Sequence, residues 1–358
     1  MPTAVMIEPV IDLSPASLAL YDDIIDVRSP AEFAQDRLPQ AQNLPVLSNE
    51  ERAEVGTIYT QDSRFRARRI GAALVARNAA LHLETALKDK PAKWRPLLYC
   101  WRGGQRSNAF ATILSQIGWR VGVLDGGYKT WRRKVVAELH DGAELFLFLL
   151  VDGPTGTGKS AIIRQLIDNG AQAVDLEALA AHRGSVFGAV GQAQPGQKLF
   201  ESLLWDRLSR LDRTRTIILE AESAQIGRCV LPRRVWLSMR AAAHVAIAAG
   251  AEARADHILG AYADMTADPL RVRNAVNRLR PFHAKAKVER WVKLAEVRDY
   301  RPLALELMCD HYDPLYARGA GARAGAPLIE IAMADMSPAS IDRAARAISS
   351  TADRVRAT

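Results

Sequence analysis

Two stretches of this chain carry residue types whose spacing suits chemistry on sulfur and on phosphate. The first is Tyr99-Cys100-Trp101-Arg102-Gly103-Gly104-Gln105-Arg106-Ser107, which follows the apolar run Pro96-Leu97-Leu98 and leads into the helical pattern Ala109–Leu114. A strand there delivers one thiol into a tight loop that opens a helix. Two glycines let successive backbone N–H groups turn inward, and the helix start adds partial positive charge. Arg102 and Arg106 add full charges. A thiol in such an electropositive pocket ionises at a pKa of roughly 3.5–7.5, and the same loop fits a tetrahedral oxyanion. Cys100, Arg102 and Arg106 are therefore the candidate catalytic residues.

The second stretch is Gly153-Pro154-Thr155-Gly156-Thr157-Gly158-Lys159-Ser160, a complete G-x4-GK[ST] loop between the apolar run Leu145–Val151 and the helical pattern Ala161–Ile167. Gly153, Gly156, Thr157 and Gly158 bring backbone N–H groups to phosphate or diphosphate oxygens, Lys159 reaches the terminal phosphate, and the Ser160 hydroxyl suits a Mg2+ ligand position. Glu220 and Glu222 end the apolar run from Thr216, and Asp175 follows Ala173-Val174. Each of these carboxylates suits a magnesium-held water or the orientation of a nucleophile, or else simply caps a helix. The usual Walker B aspartate is absent. Ala181–Gly188, with His182 and Arg183, has the donors and glycines of a loop that closes over an anion.

Farther on, Arg271, Arg273, Arg278 and Arg280 cluster in a helical pattern that continues through Lys285, Lys287 and Arg290. Spread over helical turns they form either a solvated face or a positive surface that follows a nucleic-acid backbone. Tyr312, in His311-Tyr312-Asp313-Pro314-Leu315-Tyr316, either stacks on a base or packs under a turn.

The elements that must position these residues alternate between strands and helices. Ile24–Val27, Pro96–Tyr99 and Val121–Leu124 read as short buried strands of one sheet; Leu145–Val151, Ala173–Val174 and Thr216–Leu219 read as strands of another. Such alternation implies α/β architecture with parallel sheets, in which chemistry gathers at the carboxyl ends of strands. His140-Asp141-Gly142-Ala143 reads as the break between domains. We expect a domain over residues 1–140, a phosphate-loop α/β core over 141–235, and a basic, mainly helical extension over 236–358. That extension returns one last strand at Ala326–Ala332 and a final amphipathic helix.

With 358 residues the chain exceeds one ordinary core, and its net charge of +8 favours a polyanionic partner. The longest apolar run, Leu145–Val151, is far short of the ~20 residues that span a bilayer. No secretory signal is evident at the N-terminus. The three cysteines, Cys100, Cys229 and Cys309, form no CxxC pair, zinc spacing or disulfide framework, which suits a reducing cytoplasm. Integral membrane proteins and secreted disulfide scaffolds are thereby disfavoured, and no protein partner is expected.

Asp26-Val27-Arg28-Ser29-Pro30-Ala31-Glu32-Phe33, the Cys100 loop and Leu124-Asp125-Gly126-Gly127-Tyr128 with Trp131 resemble, in order, the three signatures of a rhodanese domain. That resemblance implies a cysteine that carries sulfur or selenium. One departure stands out: many rhodaneses space Cys and Arg as C-x4-R, whereas Cys100 and Arg106 are C-x5-R, as in dual-specificity phosphatases of the same fold. A rhodanese-like parallel-sheet domain followed by a P-loop NTPase-like α/β domain with Ala181–Ser185, Leu219–Ser223 and His311–Tyr316 is similar to the tRNA 2-selenouridine synthase family. The resemblance implies that sulfur is replaced by selenium in 2-thiouridine at the tRNA wobble position, with selenophosphate as donor. It also implies prior S-geranylation of the base by geranyl diphosphate, so that the phosphate loop grips either that diphosphate or ATP. A persulfide-dependent tRNA thiolase driven by ATP, a phosphatase fused to a nucleotide-binding domain, and a nucleotide-gated RNA-binding module remain open at this point.

Overall fold

Strands β1 (Ile7–Val10), β2 (Asp23–Asp26), β3 (Gln42–Asn43), β4 (Pro96–Tyr99) and β5 (Val121–Leu124) pair in parallel in the order β1-β5-β4-β2-β3. The computed structural model describes residues 7–142, 145–320 and 325–355. It divides the chain into one unit up to Glu138 together with Glu201–Arg210, and a second made of Leu139–Phe200 and Leu211–Thr358. Every residue of β4 and β5 is buried, as a sheet covered on both faces requires. Ile25, Val27, Leu98, Phe110, Leu114 and Val123 belong to the core of this first unit. Each such side chain contributes about 1.5–3 kcal/mol on burial. The sequence gives no clear sign of β1, because Pro9 interrupts its ladder of donors; the structure tolerates it at the sheet edge.

Glycines explain why two distant signatures of this unit occur together. Gly127 has φ +59°, and a Cβ there would lie 2.3 Å from Cys100 O and 2.4 Å from Gly103 N. The Asp125–Tyr128 turn therefore lies directly against the thiol loop, and Tyr128 N donates to Cys100 O at 2.8 Å. A larger residue at Gly127 would push the loop open.

The second unit repeats the arrangement. β6 (Phe148–Asp152), β7 (Ala173–Val174) and β8 (Ile217–Glu220) are followed by the antiparallel pair β9 (Gln225–Ile226) and β10 (Cys229–Val230), then by β11 (Ala243–Ala249) and β12 (Glu330–Met333). The main sheet is parallel, in the order β12-β11-β6-β8-β7, with β6 central and wholly buried. The helices Lys159–Asp168 and Pro338–Ala352 share a core with it through Ile163, Leu166, Ile341 and Ile348. A helical layer from Ala251 to Ala320 encloses its own core around Val272, Leu279, Trp291, Leu303 and Leu307.

The segment 236–358 is mainly helical as expected, but β11 is a second strand in it, beyond the one the sequence predicts. Ala243-His244-Val245-Ala246-Ile247-Ala248-Ala249 is alanine-rich and reads as helix by propensity. Pairing with β6 on one side and β12 on the other overrides that preference. Segment 236–358 thus supplies two strands to the sheet that carries the phosphate loop. Near the expected domain break, Ala137–Asp141 forms a π-helical turn, and Ala143 lies outside the described residues. Among the described residues no helix is long and apolar enough to cross a membrane.

Candidate active site

In the first unit Cys100 follows β4 directly, and the helix Gln105–Ile117 begins five residues later. The sulfur is more enclosed than the sequence suggests: Cys100 is 3% exposed and touches the apolar core. Its other side meets donors, with Ser107 Oγ at 3.2 Å. Burial alone would raise the thiol pKa. The Ser107 hydroxyl and amide, the Arg102 amide and the Arg106 charge outweigh it and hold the thiol below its ordinary value. The Arg102 side chain is exposed, whereas Arg106 is half-buried and donates to Glu32 Oε2 at 2.9 Å. The same Glu32 oxygen accepts from Ser29 N at 3.1 Å, so the capping carboxylate of one helix anchors the arginine at the start of another. Arg28, by contrast, is sealed inside, paired with Asp26 at 2.6 Å and stacked 4.1 Å from the Tyr128 ring. Its role is to brace the loop that holds Tyr128.

In the second unit the phosphate loop turns out of β6 into the helix Lys159–Asp168. Gly156 has φ +88°, and a Cβ there would meet Arg254 O at 3.0 Å and Ile258 Cδ1 at 2.9 Å, so the loop fits only without a side chain. Thr157 Oγ1 fastens the loop internally to Pro154 O at 2.8 Å. Lys159 Nζ rests on Gly153 O at 2.6 Å, and burial lowers its pKa despite the charges of Glu222, Glu177 and Glu220. Ser160 Oγ donates to Glu177 Oε2 at 2.5 Å.

The carboxylates sort into different places. Asp175 Oδ1 accepts from Ala178 N at 2.7 Å and caps a short helix. Glu220 is fully buried and accepts from Glu177 N at 2.9 Å; burial and the neighbouring carboxylates Asp175 and Glu177 raise its pKa well above the usual range. Glu222 lines the cavity, and burial together with Glu177 pushes it up to about 7. Among the described residues no three His, Cys, Asp or Glu side chains are grouped to hold a metal by themselves. Ser160 beside Glu177 nonetheless fits magnesium, which keeps several waters and is usually bound with substrate phosphates.

The cavity beside the loop measures about 530 Å³ and is lined by Lys159, Ser160, Glu177, Arg183 and Glu222, among others. Arg183 donates to Asp264 Oδ1 at 2.8 Å and stacks 4.7 Å over Tyr262, while its Nη1 is buried without a hydrogen-bond partner. His182 accepts from Gly184 N at 3.2 Å; burial and the charges of Arg278 and Arg183 lower its pKa. Next to this cavity lies a smaller one of about 70 Å³, walled by Phe187, Met265, Val272, Leu303 and Leu307. Thr155, Ser185, Ile258, Tyr262 and Tyr312 line both.

Of the basic cluster, Arg271 donates to Asp264 O and Ala189 O at 3.2 Å, beside the 182–189 loop. Arg273 pairs with Glu296 at 3.7 Å, and Arg280 donates to Asn277 at 2.9 Å; with Arg278 both are exposed. Tyr312 does not join this face but lines the two cavities. Sequence reasoning missed Arg254 and His257. They recur with Ile258 and Ala261 at i, i+3, i+4 and i+7 of the helix Ala251–Ala261, and that spacing on a segment following a strand was the available signal.

Comparison with known proteins agrees with this two-part layout. The family model of a rhodanese-like domain matches residues 14–134, and that of the tRNA 2-selenouridine synthase AAA domain matches residues 146–278. Proteins named tRNA 2-selenouridine synthase are similar: that of Nitrosomonas eutropha is 35% identical over 67% of this chain and 62% of its own length. That of Nitrosomonas europaea is 38% identical over 61% and 57%, and that of Shewanella denitrificans 37% over 67% and 65%. The matched stretch thus spans about three fifths of these relatives' own length. The chain, with a rhodanese-like domain followed by this family's AAA domain, belongs to the tRNA 2-selenouridine synthase family.

Proposed function

We propose that the protein converts 2-thiouridine at the wobble position of tRNA into 2-selenouridine, with selenophosphate as selenium donor and an S-geranyl intermediate made from geranyl diphosphate. The observation that carries this reading is the pairing of a phosphate-loop cavity with an adjoining apolar one. Loop amides and Lys159 suit a diphosphate, and Phe187, Met265 and Leu307 suit a hydrocarbon chain. A ribose and base in the apolar space would leave polar groups without partners, at a cost of about 1–3 kcal/mol each.

The order of steps follows from leaving-group chemistry. A thiocarbonyl sulfur leaves poorly. Its lone pair first forms a bond to geranyl C1 while the C–O bond breaks, diphosphate departs with the electron pair, and the ring N–H proton passes to water. Lys159 and the loop amides stabilise the charge that develops on the leaving group. Magnesium, when held by Ser160 and phosphate oxygens, would neutralise part of the same charge. The selenium of selenophosphate then adds at C2, geranylthiolate leaves and takes a proton from water, and water cleaves the Se–P bond, releasing phosphate and returning a proton to the ring nitrogen. Cys100, with Arg102 and Arg106, holds the selenium donor. Arg271, Arg273, Arg278 and Arg280 are the residues we assign to the RNA backbone near the anticodon.

Mass spectrometry of nucleosides tests the reading, after incubation of thiolated tRNA with selenophosphate, with and without geranyl diphosphate. Geranyl-dependent 2-selenouridine is the expected product. Sulfur insertion tied to ATP hydrolysis would select the thiolase instead, and release of phosphate from an aryl phosphate the phosphatase.

A further inference from the structure

The polar and apolar cavities of the second unit meet at four hydroxyl-bearing residues, Thr155, Ser185, Tyr262 and Tyr312, which line both. Ser185 Oγ and Tyr262 Oη lie 3.3 Å apart and satisfy one another. Tyr312 Oη is different: it is buried and makes no well-formed hydrogen bond, although Ser185 and Val186 are its neighbours. An unsatisfied buried hydroxyl carries a desolvation cost, which a fold without use for it would shed by placing phenylalanine there. The residue also ends the π-helical turn Met308–Tyr312, a rare geometry that recurs at functional sites. Its ring is fixed at 4.8 Å from the His311 ring. Burial holds the phenol far above its ordinary pKa, so the group is a donor at any working pH.

The junction of a charged and an apolar compartment is where a prenyl diphosphate places the oxygen that joins its two halves. We propose that Tyr312 is a catalytic residue that donates a hydrogen bond to this bridging oxygen, with the Ser185–Tyr262 pair forming the rest of the neck. The inference rests on the cavity pair being a prenyl diphosphate site. In the transfer step the thiouridine sulfur lone pair becomes the new S–C bond, the C–O pair stays on the bridging oxygen, and the ring proton goes to water. A donor at that oxygen acts on the transition state, because its charge grows only as the C–O bond lengthens. Inorganic pyrophosphate is the leaving group itself and carries that oxygen fully charged, so it accepts the same hydrogen bond, whereas in bound geranyl diphosphate the ester oxygen accepts only weakly.

The test is Tyr312→Phe, which removes one unpaired oxygen and keeps the ring. Single-turnover geranylation of thiolated tRNA should slow by about 100-fold, the usual effect of removing one such donor. Geranyl diphosphate affinity without tRNA should stay within about twofold, pyrophosphate affinity should fall, and the urea midpoint should not fall. Wild-type rates in the variant would overturn the role of Tyr312 and leave the prenyl diphosphate reading standing. So would losses of geranyl diphosphate affinity or of stability that match the loss of rate, since those mark a structural hydroxyl. A wild-type protein that binds pyrophosphate but transfers no geranyl group would overturn both.

Discussion

Arg254 grips Asp313 with both terminal guanidinium nitrogens, at 3.1 and 2.5 Å, while its Nε donates to Thr155 O at 2.8 Å. One buried side chain thereby ties the phosphate loop to the His311–Tyr316 segment, more than fifty residues away. Arg254→Lys keeps the charge but loses the planar fork that reaches three oxygens at once. We expect pyrophosphate affinity to fall about tenfold, or ~1.4 kcal/mol, by calorimetry. Asp313→Asn should give a smaller loss in the same direction.

Cys100→Ala should leave geranylation intact and stop the reaction there. Nucleoside analysis would then show S-geranyl-2-thiouridine accumulating and no selenouridine. Full selenation by this variant would remove the thiol from the mechanism.

Lys159→Ala should abolish geranylation by removing charge from the departing diphosphate, a loss of about 100-fold or more in rate. Cys100 lies in the other unit and its alkylation by iodoacetamide should be unchanged.

The thiol itself has two adjustable neighbours. Ser107→Ala removes the donor at 3.2 Å and should raise the Cys100 pKa. Glu32→Gln removes a negative charge from beside Arg106, leaves the arginine field less compensated, and should lower that pKa further. The rate of iodoacetamide alkylation against pH reads both shifts, and they must have opposite signs.

Glu222 makes the phosphate cavity sensitive to pH. Its carboxyl sits at about 7, against 4.5 when unperturbed, so the folded chain binds more protons than the unfolded chain between those values. The stability it contributes is present at low pH and is lost as pH rises through about 7. A phosphate arriving beside it also favours the protonated form. Pyrophosphate affinity should therefore rise as the buffer is taken from about pH 8 to pH 6, with proton uptake measurable from the buffer dependence of the binding heat. Glu222→Gln should flatten both dependences.

What the sequence determined by itself was local. Cys100 and the Gly153–Ser160 loop are legible because each needs a strand before it, glycines within it and a helix after it, all within some twenty consecutive residues. Register on a fully buried parallel strand leaves little freedom, so β4 and β6 fall where their apolar runs place them. Pairing across long intervals was decided only by the tertiary structure. The alanine-rich β11 is a strand because β6 and β12 supply its hydrogen bonds, and Arg254 reaches the phosphate loop because the helix after β11 packs against it. Tyr312 likewise carries the same side chain on a surface or at a cavity neck. Only the fold of the helical layer around Trp291 and Leu307 turned its hydroxyl inward, where it is buried without a well-formed hydrogen bond.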